Sequence, residues 1–260
     1  MGHSPGHADR GGRHGPHRGQ RVRRHHGVPT RRACSPGGGQ CECPRRERRD
    51  QPPGAKHELV RLCRYHRHTY TSVSASWTEP TGICSGRGSQ YSSFWVGLDG
   101  YSSSSVEQTG SDTDCRRGRA VYYAWYEMYP NPSVSYSNTV RPGDHFNASV
   151  TYTGSNNFSL FIQDVTRGWS HTTVGTLAGA ARSSAEVIVE APCCTAGGGI
   201  LPLADFGTVN ITGSMANGSA LGNAGGVTQI IMVDNAGLDK DTVSSLSGGE
   251  NFSATWVRSN

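Results

Sequence analysis

No stretch of the 260-residue sequence approaches the roughly 20 consecutive apolar residues that a membrane-spanning helix needs. No stretch keeps a helical pattern of apolar residues for three turns, and no segment repeats at a fixed period. These absences argue against a membrane protein, a helical bundle and a repeat protein. We therefore predict a soluble protein that has no membrane partner.

The motifs of several common catalytic sites are missing as well. The sequence has no GxSxG elbow, no P-loop, no GxGxxG in a βαβ setting and no HExxH. After residue 68 only His145 and His171 remain, so a Ser-His-Asp triad or a three-histidine zinc site is hard to build. The side chains left for chemistry are carboxylates, amides and aromatic rings.

Short runs of Val, Ile, Tyr, Trp and Thr, separated by turn residues, fill the chain from residue 69 onward. This composition predicts an all-β fold, either a sandwich or a barrel. We predict a single domain over residues 69–260. The predicted strands cover residues 71–77, 92–98, 119–129, 145–153, 158–164, 169–174, 184–190, 206–212, 227–233 and 251–257, with a further strand around 106–108.

Residues 1–68 differ from the rest of the chain. They are crowded with Arg and His, contain few aliphatic residues and show no periodicity. Cys41 and Cys43 are one residue too close for a CxxC metal motif. Such a tract is typical of a disordered arm, and its positive charge would suit nucleic-acid binding.

A shifted reading frame explains residues 1–68 better. One set of codons for residues 56–67 reads Ser-Thr-Asn-Trp-Ser-Gly-Tyr-Ala-Ala-Thr-Thr after a shift of one base, which is a plausible strand leading into Thr69. The same shift applied to residues 8–26 gives an alanine-rich segment that ends in an A-x-A site, as in a secretory signal. We therefore predict residues 1–68 to be a disordered, out-of-frame signal or pro-segment, and we expect no nucleic-acid partner.

Gln108 lies in a stretch whose other residues are typical of two paired strands. Residues 92–98 form the first strand, Asp99 and Gly100 the turn, and Val106 and Gln108 face the same side of the second strand. The ordinary explanation is a half-buried glutamine whose amide bonds to a neighbouring group. The functional explanation is an amide N–H that donates a hydrogen bond to a ligand.

Two later strands place carboxylates beside large side chains. Residues 119–129 alternate so that Trp125 and Glu127 share a face, which indicates the wall of a cleft because a buried glutamate needs a partner. The AEVIVE segment places Glu186 and Glu190 on one face. Taken alone, Glu190 is an ordinary carboxylate at the end of a strand.

The cysteines after residue 68 suggest an exported protein. Cys84 and Cys115 flank the Gln108 region, and a disulfide between them would hold its two ends together. Two free thiols are the alternative. Cys193 and Cys194 are adjacent, and the sequence leaves open whether each pairs with its neighbour or elsewhere.

A carboxylate combined with an amide suits peptide hydrolysis. The carboxylate takes a proton from a water molecule as the water attacks the carbonyl carbon, and the amide N–H donates to the developing oxyanion. A pair of carboxylates could instead serve a glycosidase.

Four segments of the sequence together resemble one family. They are FWVGLDG at residues 94–100, EQTG at 107–110, YYAWYEMYP at 122–130 and AEVIVEAP at 185–192. In this order, and with the out-of-frame Asn-Trp-Ser-Gly-Tyr before them, they are similar to the glutamic peptidases, also called eqolisins. The four segments lie between residues 94 and 192 of the predicted domain.

The resemblance implies a fold and a set of functional residues. The fold would be an antiparallel β-sandwich of two large sheets, a concanavalin-like jelly roll, with one sheet bent to form a cleft. The family's catalytic glutamine falls on Gln108, and its catalytic glutamate falls on Glu190 and not on Glu186. The positions that line the family's cleft fall on Trp95, Asp99, Trp125 and Glu127.

The resemblance also implies an activity. The chain would be a secreted, monomeric acid endopeptidase that hydrolyses polypeptides with Glu190 as general base and Gln108 as oxyanion stabiliser. It would need neither a metal nor an organic cofactor. Acidic neighbours such as Glu127 and Asp99 should raise the pKa of Glu190, which favours activity at acid pH. If residues 1–68 are out of frame, the chain as written would lack a working signal peptide.

Two other functions stay open on the sequence alone. Trp95, Trp125 and Tyr123 could hold carbohydrate without turnover, which would make the chain a binding module. A nucleic-acid binder would depend entirely on residues 1–68.

Overall fold

The computed structural model describes the backbone of residues 60–64 and describes residues 69–192, 200–224 and 226–260 with their side chains. The regular secondary structure of this part of the chain is almost all β-strand, and the strands are numbered here in chain order. Within it, the one helix is a short 3₁₀ turn over Leu221–Ala224. None of the helical residues described forms a span long and apolar enough to cross a membrane.

Seven strands form one antiparallel sheet, called here the seven-stranded sheet. In spatial order they are β13 (Val227–Ile230), β1 (Val60–Arg64), β10 (Ala185–Glu190), β3 (Ser93–Asp99), β4 (Val106–Arg116), β5 (Arg119–Tyr129) and β6 (Val134–Ser135).

The remaining strands form a second antiparallel sheet, called here the eight-stranded sheet. In spatial order they are β14 (Asp241–Val243), β15 (Phe252–Trp256), β11 (Thr208–Ala216), β2 (Ser72–Thr78), β7 (His145–Gly154), β8 (Asn157–Asp164) and β9 (Trp169–Thr176), with β12 (Ser219–Ala220) paired to β11. The prediction of an all-β fold with two large antiparallel sheets is confirmed.

The main core lies between the two sheets. Along β2 every second residue points inward, so that Val73, Ala75 and Trp77 are buried while the serines between them reach the surface. The seven-stranded sheet contributes Phe94, Val96 and Leu98 to the same cluster, and β7, β8 and β11 contribute further apolar side chains. Each large side chain buried in this way stabilises the fold by about 1.5–3 kcal/mol.

The seven-stranded sheet is buried on its other face as well. All seven residues of β3 and all six of β10 are buried, without the alternation seen in β2. A second apolar cluster, formed by Trp95, Tyr123, Trp125 and Ile188, is separate from the main core. The aromatic face of residues 119–129 is therefore distinct from the core between the sheets, as the alternation pattern predicted.

Most predicted strands agree with the structure to within a few residues. β5 begins and ends where the sequence indicated, at Arg119 and Tyr129. β4 is longer than predicted and continues to Arg116. β13 is shorter and ends at Ile230, because the backbone N–H of Met232 leaves the ladder and donates to Asp241.

The disulfide and the turn near Gln108 are confirmed. Cys84 and Cys115 are bonded, with 5.4 Å between their Cα atoms. β3 ends at Asp99, whose φ is +65°, and Gly100 follows with a φ of +102°. Left-handed conformations of this kind are costly for most side chains and easy for glycine, which explains the Asp-Gly pair at the turn.

Part of the predicted disordered arm is ordered. Val60–Arg64 forms β1, which pairs with β10 on one side and with β13 on the other. A strand at this place supplies backbone hydrogen-bond partners to both neighbours, and disorder of the other residues of the arm stays a prediction. The rest of residues 1–68, with the frame hypothesis, lies outside the described residues, as do Cys193 and Cys194.

Candidate active site

Functional side chains gather on the face of the seven-stranded sheet that points away from the eight-stranded sheet, called here the site face. Residues paired directly across strands carry their side chains on the same face. The register of β10, β3, β4 and β5 therefore defines three rows on the site face. They are Glu186–Gly97–Gln108–Glu127, then Ile188–Trp95–Gly110–Trp125, then Glu190–Ser93–Asp112–Tyr123.

The first row holds the Gln108 amide in one orientation. The Nε2 atom of Gln108 donates a hydrogen bond to Oε2 of Glu127, its partner on β5. Because an ionised carboxylate only accepts hydrogen bonds, this contact fixes which end of the amide faces Glu127. One N–H of Gln108 remains beyond it, and its buried Oε1 has no hydrogen-bond partner among the described residues.

Glu190, in the third row, is held by a tryptophan of the middle row. The indole Nε1 of Trp95 donates to Oε1 of Glu190 over 3.1 Å. Glu190, Gln108 and Glu127 each keep 7% exposure, whereas Glu186 has none. Glu186 accepts a hydrogen bond from the Ser184 hydroxyl at 3.0 Å. Of the two glutamates on β10, Glu190 is thus the one that solvent can reach.

Two glycines leave room for the tryptophan ring between these rows. A Cβ atom on Gly110 would lie 2.2 Å from the Phe94 carbonyl oxygen and 2.5 Å from the Trp95 Cβ. A Cβ atom on Gly97 would lie 2.8 Å from the ring atom Cζ3 of Trp95. The absence of side chains here lets the Trp95 ring lie close to the sheet, with Gly110 between Trp95 and Trp125 in the middle row.

A second acidic cluster lies at the far end of β4. Asp112 accepts from the indole Nε1 of Trp125 at 2.6 Å, and the Tyr123 hydroxyl contacts both Asp112 and Asp114. Arg116 forms an ion pair with Asp114 at 3.0 Å. Burial, followed by the negative charge of Asp112, raises the pKa of Asp114 to about 7.

Comparisons with known proteins identify the family of this chain. The model of the peptidase A4 family matches residues 63–256. The chain belongs to the peptidase A4 family. These are the glutamic peptidases, or eqolisins, that the four sequence segments resemble.

Named relatives of this glutamic peptidase are also peptidases. It is 32% identical to aspergillopepsin-2 of Aspergillus niger over 205 residues, which cover 73% of this chain and 71% of the relative. It is 34% identical to scytalidopepsin B of Scytalidium lignicola over 129 residues, 46% of each chain. The crystal structure of scytalido-glutamic peptidase with a peptide-based transition state analogue superposes with a TM-score of 0.62 at 26% identity, covering 77% of this chain and 99% of that one.

The family assignment settles the class of reaction. The chain is a glutamic endopeptidase, and its substrates are polypeptides. Among the described residues, no group of three His, Cys, Asp or Glu side chains could hold a metal ion.

The structure places five of the six predicted site residues together. Gln108, Glu190, Trp95, Trp125 and Glu127 occupy the three rows of the site face. The sixth, Asp99, sits at the end of β3 with no exposure. Its carboxylate accepts hydrogen bonds from the backbone N–H groups of residues 182 and 183 at 2.7 and 2.8 Å, so its contacts are with a loop of the protein itself.

Two acidic groups near the site were not predicted from the sequence. Asp112 and Asp114 share the face of Gln108, and extending the alternation of β4 by four and six residues would have found them. Glu107 lies on the opposite face of β4, fully buried. Burial, together with the charge of Asp99, raises the pKa of Glu107 to about 8.

Proposed function

We propose that this glutamic peptidase cleaves peptide bonds with Glu190 as the general base and Gln108 as the oxyanion donor. The observation that carries the proposal is the pair of oriented side chains on either side of the Trp95–Trp125 row. One is an amide fixed by Glu127, and the other is a carboxylate fixed by the Trp95 indole. Both keep 7% exposure, as Glu127 does, whereas Glu186 and Trp125 on the same face keep none.

The reaction begins with a water molecule between the two side chains. Glu190 takes a proton from this water while the water oxygen bonds to the carbonyl carbon of the substrate. The electron pair of the C=O bond moves to the carbonyl oxygen, which becomes negative. The Gln108 N–H that Glu127 does not engage donates a hydrogen bond to this oxyanion.

The second half of the reaction returns the proton. Glu190 gives its proton to the nitrogen of the leaving amine, the C–N bond breaks and the carbonyl re-forms as a carboxylic acid. The glutamate ends ionised, as it began. Gly97 and Gly110, which carry no side chains, let the Trp95 ring lie close to the sheet between the rows that hold the two groups.

We further propose that the protein is secreted and acts as a monomer at acid pH. The Cys84–Cys115 disulfide supports an oxidising compartment. Acid activity requires that Glu190 be ionised at acid pH, so that it can take a proton from the attacking water.

The role of Gln108 is tested by replacing it with alanine. We expect Gln108→Ala to lower kcat by about 10²–10³-fold with little change in KM, because an oxyanion donor acts mainly in the transition state. The matched control is Gln163→Ala, since Gln163 lies on the outer face of the eight-stranded sheet and its amide contacts Asn147. A Gln108→Ala enzyme with the kcat of the control would overturn the assignment.

A further inference from the structure

One tyrosine hydroxyl lies between two carboxyl groups at the end of the site face. The Tyr123 hydroxyl oxygen is 2.6 Å from Oδ2 of Asp112 and 2.9 Å from Oδ2 of Asp114. Both carboxyl groups and the tyrosine ring are buried. Asp112 and Asp114 are two residues apart on β4, so their side chains lie on the same face.

The number of protons in this cluster follows from its hydrogen bonds. A hydroxyl has one proton to donate, whereas each ionised carboxylate can only accept. If both aspartates were ionised, one of the two contacts with Tyr123 would bring lone pairs against each other. A proton on one carboxyl group satisfies both contacts, because that carboxyl donates to the tyrosine oxygen and the tyrosine donates to the other carboxylate.

The cluster is connected to the middle row of the site face. The indole Nε1 of Trp125 donates to Oδ1 of Asp112 at 2.6 Å. Trp125 is fully buried beside Gly110, and Gly110 separates it from Trp95, which holds Glu190. The orientation of the Asp112 carboxylate thus sets the orientation of the Trp125 ring.

We propose that Asp112, Tyr123 and Asp114 form a positioning cluster that shares one proton and holds the Trp125 indole in place, so that loss of this proton releases Trp125 and switches the site off at neutral pH. The cluster acts through Trp125 and makes no contact with the reacting atoms. The inference rests on the proposed function for its effect on activity, and on the hydrogen-bond geometry alone for its effect on Trp125.

The charged groups around the cluster come from three strands and one loop. Arg116 on β4 pairs with Asp114, and Arg119 at the start of β5 is the Cα partner of Arg116. Glu190 on β10 lies in the same row as Asp112, with Ser93 between them. Glu79, just after β2, accepts hydrogen bonds from Ser111 and Thr113, and the negative charge of Asp112 helps to raise the pKa of Glu79.

These neighbours favour retention of the shared proton below neutral pH. Arg116 lowers the pKa of Asp114, but its side chain is 24% exposed and water screens its charge. Burial and the charge of Asp112 outweigh it and bring the pKa of Asp114 to about 7. The carboxyl is therefore protonated at acid pH and loses its proton as the pH rises through neutrality.

The test is the near-ultraviolet circular dichroism of the tryptophans in the full chain between pH 5 and pH 8.5. We expect a reversible change with a midpoint near pH 7 in the wild type. Asp114→Asn should abolish it or move it upward by more than about one pH unit, because an amide can donate to Tyr123 without titrating. Glu250→Gln is the matched control and should keep the change, since its partly buried carboxyl lies in the turn before β15, outside this cluster.

A second variant covers the case in which Asp114→Asn does not fold. Tyr123→Phe removes the shared hydroxyl, and at pH 5 it should already give the tryptophan spectrum that the wild type gives at pH 8. A wild type without the spectral change, an unchanged midpoint in Asp114→Asn, or a Tyr123→Phe spectrum equal to that of the wild type at every pH would overturn the proposal.

The activity profile separates this proposal from the proposed function. In Asp114→Asn the decline of kcat/KM near neutral pH, the neutral limb of the profile, should shift to a higher pH. The rise of kcat/KM at acid pH, the acid limb, should stay in place because it reports the ionisation of Glu190. A merely structural effect would lower activity equally at every pH. Proteolysis without any shift of the neutral limb would overturn the cluster alone, whereas absence of proteolysis with the spectral change intact would overturn the proposed reaction alone.

Discussion

Replacing Glu190 with glutamine is expected to lower kcat/KM for a peptide substrate by about 10²–10⁴-fold, while the fold is kept. The loss follows because an amide cannot take a proton from the attacking water, and general-base catalysis contributes about 10²–10⁴-fold. The glutamine is nearly the same size, so it can still accept the hydrogen bond from the Trp95 indole. Hydrolysis of the peptide at acid pH and far-ultraviolet circular dichroism measure the two effects.

The matched control for this variant is on the same strand. Glu186→Gln changes a glutamate that lies on the same face of β10, four residues before Glu190. Its carboxyl is fully buried and bonded to the Ser184 hydroxyl, so we expect this variant to keep most of its activity. A Glu186→Gln enzyme as inactive as Glu190→Gln, or an active Glu190→Gln enzyme, would contradict the assignment of the general base.

The free energy of unfolding is expected to fall steeply from acid to weakly alkaline pH. Burial is the main cause of a raised pKa at four carboxyl groups, which reach about 7 at Asp114 and about 8 at Glu79, Glu107 and Asp241. At a pH below the ordinary carboxyl pKa of the unfolded chain, these groups are protonated in both the folded and the unfolded state. They then do not lower the free energy of unfolding. Above it the unfolded chain releases protons that the folded protein retains, so stability decreases until the pH passes the raised values.

Glu79 allows this effect to be measured at one position. Its oxygens accept from the hydroxyls of Ser111 and Thr113, and the Trp77 indole in turn donates to Ser111. A pKa of about 8 corresponds to roughly 3–5 kcal/mol of lost stability at pH 8. Glu79→Gln should therefore raise the free energy of unfolding at pH 8 by a few kcal/mol and change it little at pH 4.

Urea unfolding at the two pH values tests this expectation. Glu250→Gln serves as the control, because its side chain is only partly buried and lies in the turn before β15. The control should shift stability by the same small amount at both pH values. The expectation is contradicted if Glu79→Gln is no more stabilising at pH 8 than at pH 4.

Local sequence patterns were enough to predict much of this fold. β5 was predicted to the residue because its alternating Tyr, Trp and Ala residues are bounded by a glycine turn before Arg119 and a proline after Tyr129. Gln108 and Glu190 could be proposed as site residues because the motifs around them are local in sequence. The buried acidic residues were harder to predict, since the Ser-Asp-Thr-Asp run at the end of β4 has low strand propensity.

Other features depend on contacts that no local pattern encodes. The buried carboxyl of Glu79 accepts hydrogen bonds from two hydroxyls on β4 that are more than 30 residues away in sequence. The anchoring of Asp99 to residues 182 and 183 joins segments separated by more than 80 positions. β1 forms between β10 and β13 although its own composition predicted disorder, which shows that sheet pairing can override local propensity.

The most direct test of the central claim is casein digestion between pH 2 and pH 8, a range that brackets ordinary and raised carboxyl pKa values. It compares the chain as written with a chain in which Ser-Thr-Asn-Trp-Ser-Gly-Tyr-Ala-Ala-Thr-Thr replaces residues 56–67. We predict cleavage that is confined to the acid side, strongest in the restored chain, and absent from the restored chain carrying Glu190→Gln. A folded restored chain that cleaves casein at no pH would contradict the account and favour a carbohydrate-binding module.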